Sequence, residues 1–292
     1  TSTTDVVIPA ATPRAPFITT PTANARDLTV AAGATLTVGT AGLVLQGSLD
    51  APGTLTGNIA GVSLNGTGTV RGNVPGTFFG LTVNGTYSLS GRLVAAGITV
   101  NGTLTLNGFT ALVGSSAGDD FQTSNNGRLA MTNALDSLII GGINSSILFD
   151  GASTAGSLTA GVILMNGSAF TGFTQDNTFN AASYAPSGTH KVVLATGATL
   201  SLSFSTPGTG SHFNILDISA QAAGFSLATP IVVNGLFVST PSATAPAING
   251  GNRLLTAAGG TQVTGLTLTN APFAITGGAV TFNNVTFQGM NN

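Results

Sequence analysis

Apolar and small polar residues alternate along most of this 292-residue chain, and glycine interrupts the alternation at short intervals. Between Arg26 and Leu106 the pairs Leu28/Val30, Leu36/Val38, Leu43/Leu45, Leu81/Val83, Ile98/Val100 and Leu104/Leu106 each fall on alternate positions. A period of two puts both members of a pair on one face of a β-strand. No helical stripe at i, i+3, i+4 competes with it. Short strands joined by glycine-bearing corners are therefore predicted.

One phrase occurs three times, as Val62-Ser63-Leu64-Asn65-Gly66-Thr67, Leu81-Thr82-Val83-Asn84-Gly85-Thr86 and Ile98-Thr99-Val100-Asn101-Gly102-Thr103. The near-constant interval between copies is the length of one turn of a solenoid, which buries its apolar face only by stacking on the next turn. The same grammar returns in Ile231–Gly235, Leu266–Asn270 and Val285–Gly289. The predicted fold is all-β: one elongated, right-handed parallel β-helix with about 17–20 residues per turn in its regular parts, the hand following from the general preference for right-handed crossovers. Residues 1–25 read as an N-terminal strand and a Pro-rich lid or linker. Residues 26–292 read as a continuous solenoid, regular at 26–110 and 226–292, with longer aromatic turns or side loops at 111–225. At about 20 residues per turn and about 4.8 Å per turn, about 14 turns would make a rod of about 65 Å.

Two roles are open for the repeated pair at Asn65-Gly66, Asn84-Gly85 and Asn101-Gly102. Asn-Gly supplies left-handed turn geometry at corners. Alternatively, the three asparagines stack in register, each amide bonding the next along the rod. Both roles are structural.

Charged residues make up only 5% of the chain, against about 25% in an average soluble domain. Acids are limited to nine Asp, and the bases are one Lys and six scattered Arg, for a net charge of −2. Nucleic-acid binding, which needs clustered cations, is excluded as an expectation. No apolar run is long enough to make a spanning helix, so no membrane insertion is expected. With no cysteine, disulfides and thiolate metal sites are excluded. Thr1 is not preceded by an initiator Met or a leader-like segment, so the chain reads as mature or as excised from something longer.

The opening Asp5-Val6-Val7-Ile8-Pro9, the Pro-rich Ala11–Thr22, and Leu28-Thr29-Val30 followed by Gly33-Ala34-Thr35-Leu36-Thr37-Val38 resemble the start of the β-solenoid repeats in large secreted bacterial surface and adhesin-like proteins. The resemblance covers residues 3 to 110. It implies an exported parallel β-helix that works as a stalk, adhesin or matrix component, located outside the cell or at its surface.

Parallel β-helices also carry polysaccharide-cleaving enzymes, which need two positioned carboxylates. Asp119-Asp120 is the one adjacent acidic pair and resembles that of polygalacturonase-like enzymes, but the companion Gly-His-Gly and Arg-Ile-Lys motifs are absent. The pair reads as a polar loop. Lys191, beside His190 and after Pro186-Ser187-Gly188, reads as a surface turn, and His190 and His212 as loop residues. Asp119, Asp120, Asp150 and Asp176 could supply oxygens to a structural calcium ion only if neighbouring turns gathered them. No other cofactor is implied. Asn-x-Ser/Thr sequons lie at Asn65, Asn84, Asn101, Asn144, Asn166 and Asn284, three of them within the repeat. The aromatics from Phe170 to Tyr184 read as filling an enlarged core, with a sugar-stacking surface as the other reading.

The expectation is a non-catalytic extracellular rod that polymerises with itself head to tail into a filament, surface layer or adhesin stalk. Its joining ends would be Val6, Val7 and Ile8 at one end and Phe282, Val285 and Phe287 at the other. No charged cap follows the last strand pattern, and capped ends are what keep solenoids soluble. A carbohydrate-binding or polysaccharide-degrading β-helix is the alternative, with surface glycans or matrix components as further partners.

Overall fold

The computed structural model describes residues 3–11, 14–39, 42–56, 61–74, 80–114, 120–144, 146–168, 171–177, 180–197, 199–208, 210–242 and 244–289, without the side chains of Asp120 and Thr171. These residues form 33 strands and no helix. Pairing is parallel from Val6–Ile8 on Leu28–Val30 through to Val285–Gln288 on Leu266–Thr269. The strands stack as a β-solenoid of about 12 turns.

Each coil presents three faces. The first is a 13-stranded sheet that starts with Thr22–Ala25, Gly42–Leu45 and Gly61–Leu64 and ends with Leu266–Thr269 and Val285–Gln288. The second begins with Val6–Ile8, Leu28–Val30 and Leu49–Ala51 and ends with Leu255–Ala257 and Phe273–Ile275. The third begins with Phe17–Ile18, Thr35–Val38 and Thr54–Thr56 and ends with Gly260–Val263 and Val280–Phe282. Some strands bend round the corner between the second and third faces. Thr86–Ser88 pair with Thr103–Thr105, while Leu93–Ala95 of the same strand pair with Ala111–Val113.

Coil length is read from register. Thr22 pairs with Gly42, an i to i+20 step, and Leu81 with Ile98, an i to i+17 step. In the middle Ile147 pairs with Phe173, at i+26, and Thr171 with Leu200, at i+29. Leu266 pairs with Val285, at i+19. These long central coils consume chain without adding height, so there are about 12 turns instead of the expected 14. At about 4.8 Å per turn the rod is about 60 Å long.

The Pro-rich opening is laid into this ladder as the first coil. Thr37 and Gly39 donate backbone N–H groups to the carbonyls of Pro16 and Ile18 at 2.9 and 3.0 Å. Pro16 lacks an N–H, but its carbonyl remains an acceptor.

Alternation becomes burial. In Thr35–Val38 and Gly42–Leu45 every second residue, Leu36, Val38, Leu43 and Leu45, is buried while its neighbours are half-exposed. Like positions then stack in columns, as in Leu43, Val62, Leu81, Ile98 and Phe121. Each such side chain contributes roughly 1.5–3 kcal/mol when fully buried, and only coils on both sides complete the burial.

Candidate functional site

The corner that follows the first face carries a hydrogen-bonded amide ladder. Asn84 Nδ2 donates to Asn65 Oδ1 and Asn101 Nδ2 donates to Asn84 Oδ1, both at 2.8 Å. The next coil closes the run, with Ser124 Oγ and Asn125 Nδ2 donating to Asn101 Oδ1 at 2.6 and 3.2 Å. Strand register places these side chains in line, because Leu64, Val83, Val100 and Thr123 pair successively just before them.

The adjoining glycines serve a purpose other than the expected left-handed corner. Neither Asn65, Asn84 and Asn101 nor Gly66, Gly85 and Gly102 has positive φ. That conformation falls instead on residues such as Asn107, Asn125, Asn144, Asn252, Asn270 and Asn284. The repeat glycines are required because coils approach closely there. A Cβ on Gly66 would lie 1.9 Å from the Gln46 carbonyl oxygen, one on Gly85 would lie 1.7 Å from that of Gly66, and one on Gly102 would lie 2.1 Å from that of Gly85. The same oxygens of Gly66 and Gly85 accept the N–H groups of Thr86 and Thr103 at 3.0 and 2.8 Å. Asn-Gly is thus a stacking element, with an amide outside and a bare backbone inside.

The two ends differ from the body of the rod. In the last coil the core-facing positions are uncovered: Val280 is 46%, Phe282 41% and Phe287 53% exposed, with Val285 half-buried. These residues pair with Thr261, Val263, Leu268 and Leu266, all buried one coil earlier. In the first coil Val6 and Ile8 face inward, Val7 faces solvent, and Phe17 is exposed. Val6, Ile8, Pro16, Ile18, Ala23, Ala25 and their neighbours line an apolar hollow of about 200 Å³. Sequence reading singled out Val6, Val7 and Ile8 but missed Ile18, Ala23 and Ala25, because a hollow depends on how strands from three faces converge.

The candidate chemistry is dispersed. Asp119, Phe170 and Phe179 lie outside the described residues, and only the backbone of Asp120 is described, in the strand Asp120–Thr123. Asp150 and Asp176 follow the paired residues Phe149 and Gln175 on adjacent coils, and Asp176 accepts the Ser205 hydroxyl at 2.8 Å. No group of three or more His, Cys, Asp or Glu that could hold a metal ion occurs among the described residues. Lys191 opens a strand on the third face and pairs with Asp217 at 3.5 Å, so it is not the surface turn expected. The sequon side chains at Asn144, Asn166 and Asn284 are exposed, whereas those of Asn65, Asn84 and Asn101 are engaged in the ladder.

The described rings of the aromatic middle face inward. Tyr184 and Phe173 are fully buried, and the Tyr184 ring packs tilted against Phe149 and edge-on to Phe173, at centroid distances of 4.6 and 4.9 Å. Phe204 and Phe213 complete the cluster. Tyr184 lies in the extra length of the coil that runs from Thr171 to Leu200. Buried Gln175 ties that coil to the stack: its Nε2 donates to the Asn177 carbonyl and to Ser183 Oγ, and its Oε1 accepts from Thr206 N–H at 3.1 Å. His190 lies in the turn segment just before the strand Lys191–Leu194, as expected, but is buried there, with Nδ1 2.9 Å from the Ala160 carbonyl. Burial lowers its pKa to about 4, opposed by the Ala160 hydrogen bond and by Asp136.

Among the described residues the inter-coil ion pairs lie on the outside of the rod. Arg71 Nη2 donates to Asp50 Oδ2 at 3.0 Å between strands in direct register, and Arg26 forks onto Asp5. The Arg26 guanidinium is held above its ordinary pKa by Asp5. Backbone donation from Ser48 N–H, ahead of the neighbouring Arg26, holds the Asp27 carboxyl below the usual range.

The fold and its ladder define a parallel β-solenoid. In comparisons with protein families, curated proteins and solved structures, the chain has no significant match.

Proposed function

We propose that this chain is a non-catalytic structural protein of the cell exterior or surface, a solenoid rod that joins head to tail into a filament, surface layer or adhesin stalk. The observation that carries the reading is the uncovered interior at the last coil, where Val280, Phe282 and Phe287 stand in solvent although their counterparts one coil back are buried. Edges of this kind are templates for further strand pairing unless charge or proline blocks them. Residues 254–289 contain no charged side chain, and their one proline, Pro272, precedes the strand Phe273–Ile275 and does not interrupt it. A second copy laid on that edge makes a heterologous contact, which repeats without closing when the rotation does not bring it back on itself.

The neutral exterior and the amide and glycine ladders suit a load-bearing rod, since stacking along the axis supplies both core and hydrogen bonds. The resemblance to bacterial surface solenoids supports the same context. Polysaccharide binding is less favoured because the described aromatic cluster is internal.

Sedimentation velocity tests the proposal. The expected result is a concentration-dependent population much heavier than the 28.7 kDa chain, abolished by Phe282→Lys with Phe287→Lys. Sedimentation as a single chain at every concentration would overturn it.

A further inference from the structure

The first and last described coils are complementary in coil size, face order, side-chain volume and charge. Terminal coils are similar in length, since Thr22 pairs with Gly42 at i+20 and Leu266 with Val285 at i+19, whereas the central coils reach i+29. The first described coil visits the second, third and first faces in turn through Val6–Ile8, Phe17–Ile18 and Thr22–Ala25. The last visits them in the same order through Phe273–Ile275, Val280–Phe282 and Val285–Gln288. Stacking one on the other therefore sets like face on like face with every strand parallel.

Volumes fit in the same arrangement. Along the first face the inward column runs Phe225, Ile248, Leu268 and Phe287, ending in a large exposed ring. At the other end the inward columns begin small, with Ala23 before Leu43 and Ala25 before Leu45. The hollow of about 200 Å³ bounded by Ala23, Ala25, Ile8 and Ile18 is almost purely apolar and lies where those rings would arrive. A void beside apolar walls forfeits dispersion contacts until something fills it.

Backbone and charge agree. Val6 N–H and Ile8 C=O are spent on the second coil, through Asp27 O and Ala31 N, at 2.9 Å each. Because groups alternate sides along a strand, Val7 turns its N–H and C=O to the outer edge. Arg26 bonds both Asp5 and Asp27 on the outside of the first coil, which leaves this trio with one net negative charge, and the last coil is uncharged, so no like charges meet.

We propose that a second copy of this chain is the occupant of the N-terminal hollow, entering with its last coil so that Val285 stands over Ala23, Phe287 over Ala25 and Phe282 over Ile18. This register rests on the head-to-tail reading above and goes further by fixing which residues meet. The junction continues the ladder between coils and adds no new kind of contact.

The chain has no cysteine, which makes the register testable by cross-linking. Asn24 and Thr286 are exposed, outward-facing positions that would be direct neighbours across the junction. Paired residues on adjacent strands fall within the roughly 4.4–6.8 Å Cα separation a disulfide needs. Oxidation of Asn24→Cys/Thr286→Cys is expected to give a non-reducing gel ladder at multiples of the 28.7 kDa chain. Asn24→Cys/Thr281→Cys, whose cysteines lie on different faces, should give none. Wild-type filaments without a ladder from the first variant, or equal ladders from both, would overturn the register while leaving head-to-tail assembly standing. Wild type that sediments as single chains would overturn both, and unchanged far-ultraviolet circular dichroism checks that each variant keeps its strands.

Discussion

The carbonyl oxygen of Gly66 occupies the place where a side chain on Gly85 would begin, 1.7 Å from the position of its Cβ. The two glycines stand a full coil apart in sequence, yet the backbone of Gly66 restricts Gly85, as that of Gln46 in turn restricts Gly66. Coil-to-coil contact, and not local backbone preference, fixes the composition of this corner.

Gly85→Ala is accordingly expected to destabilise the rod by about 1–3 kcal/mol, the usual range for overpacking, since the obstructing atom is backbone and cannot rotate away. Gly42→Ala, where nothing lies within 4 Å of the added carbon and φ is not positive, should be nearly neutral. Urea titration followed by circular dichroism compares the two, and equal midpoints would refute the steric account.

Asn84 both donates to Asn65 and accepts from Asn101. Asn84→Ala should cost about 1 kcal/mol, because each exposed hydrogen bond contributes roughly 0.5–1.5 kcal/mol net. A double-mutant cycle with Asn101→Ala checks that the loss is shared: coupling of a few tenths of a kcal/mol or more is expected from contacting residues. Strict additivity would mean the amides merely sit near each other.

Much of this architecture is legible in the chain. Leu43, Val62, Leu81 and Ile98 form one column because a strict period of two and near-equal offsets leave a single consistent register. The central coils were legible as longer and aromatic but not in their count, since the turn that delivers Tyr184 to Phe149 has no period of its own. The role of Gly66, Gly85 and Gly102 was misread for a related reason: an Asn-Gly pair signals positive φ locally, and only the preceding coil shows that space is the constraint. His190 is a loop residue, as its neighbours Pro186-Ser187-Gly188 indicate, but its burial depends on Ala160, one coil away, and was not legible.

Tyr184 buries its hydroxyl with no hydrogen-bond partner among the described residues. Tyr184→Phe keeps the ring against Phe149 and Phe173 and removes the unmatched group. Stability should rise by about 1 kcal/mol, the low end of the cost of an unsatisfied buried polar atom. A lowered melting temperature would show that the hydroxyl is engaged.

His190 sets a distinct acid response. Its folded pKa, about 4, lies below the unfolded value of 6.5, so the unfolded chain binds the proton first as pH falls. Stability from the neutral imidazole is therefore complete above about pH 6.5 and declines toward pH 4, by about 3 kcal/mol in all. Asp27, whose pKa is lowered from 3.8, acts in the window below that, where its protonation removes its own contribution. His190→Gln should flatten the slope between pH 6.5 and 4 in urea titrations and leave the steeper acid loss in place. An unchanged slope would place the response elsewhere.

The central claim is that the coil ladder runs on from one copy into the next, and electron microscopy of the purified 292-residue chain tests it most directly. Filaments one rod wide, with a meridional spacing of about 4.8 Å and an axial repeat of about 60 Å, are the predicted result. A uniform field of separate short rods, each about 60 Å long, at concentrations and times that favour assembly, would contradict it.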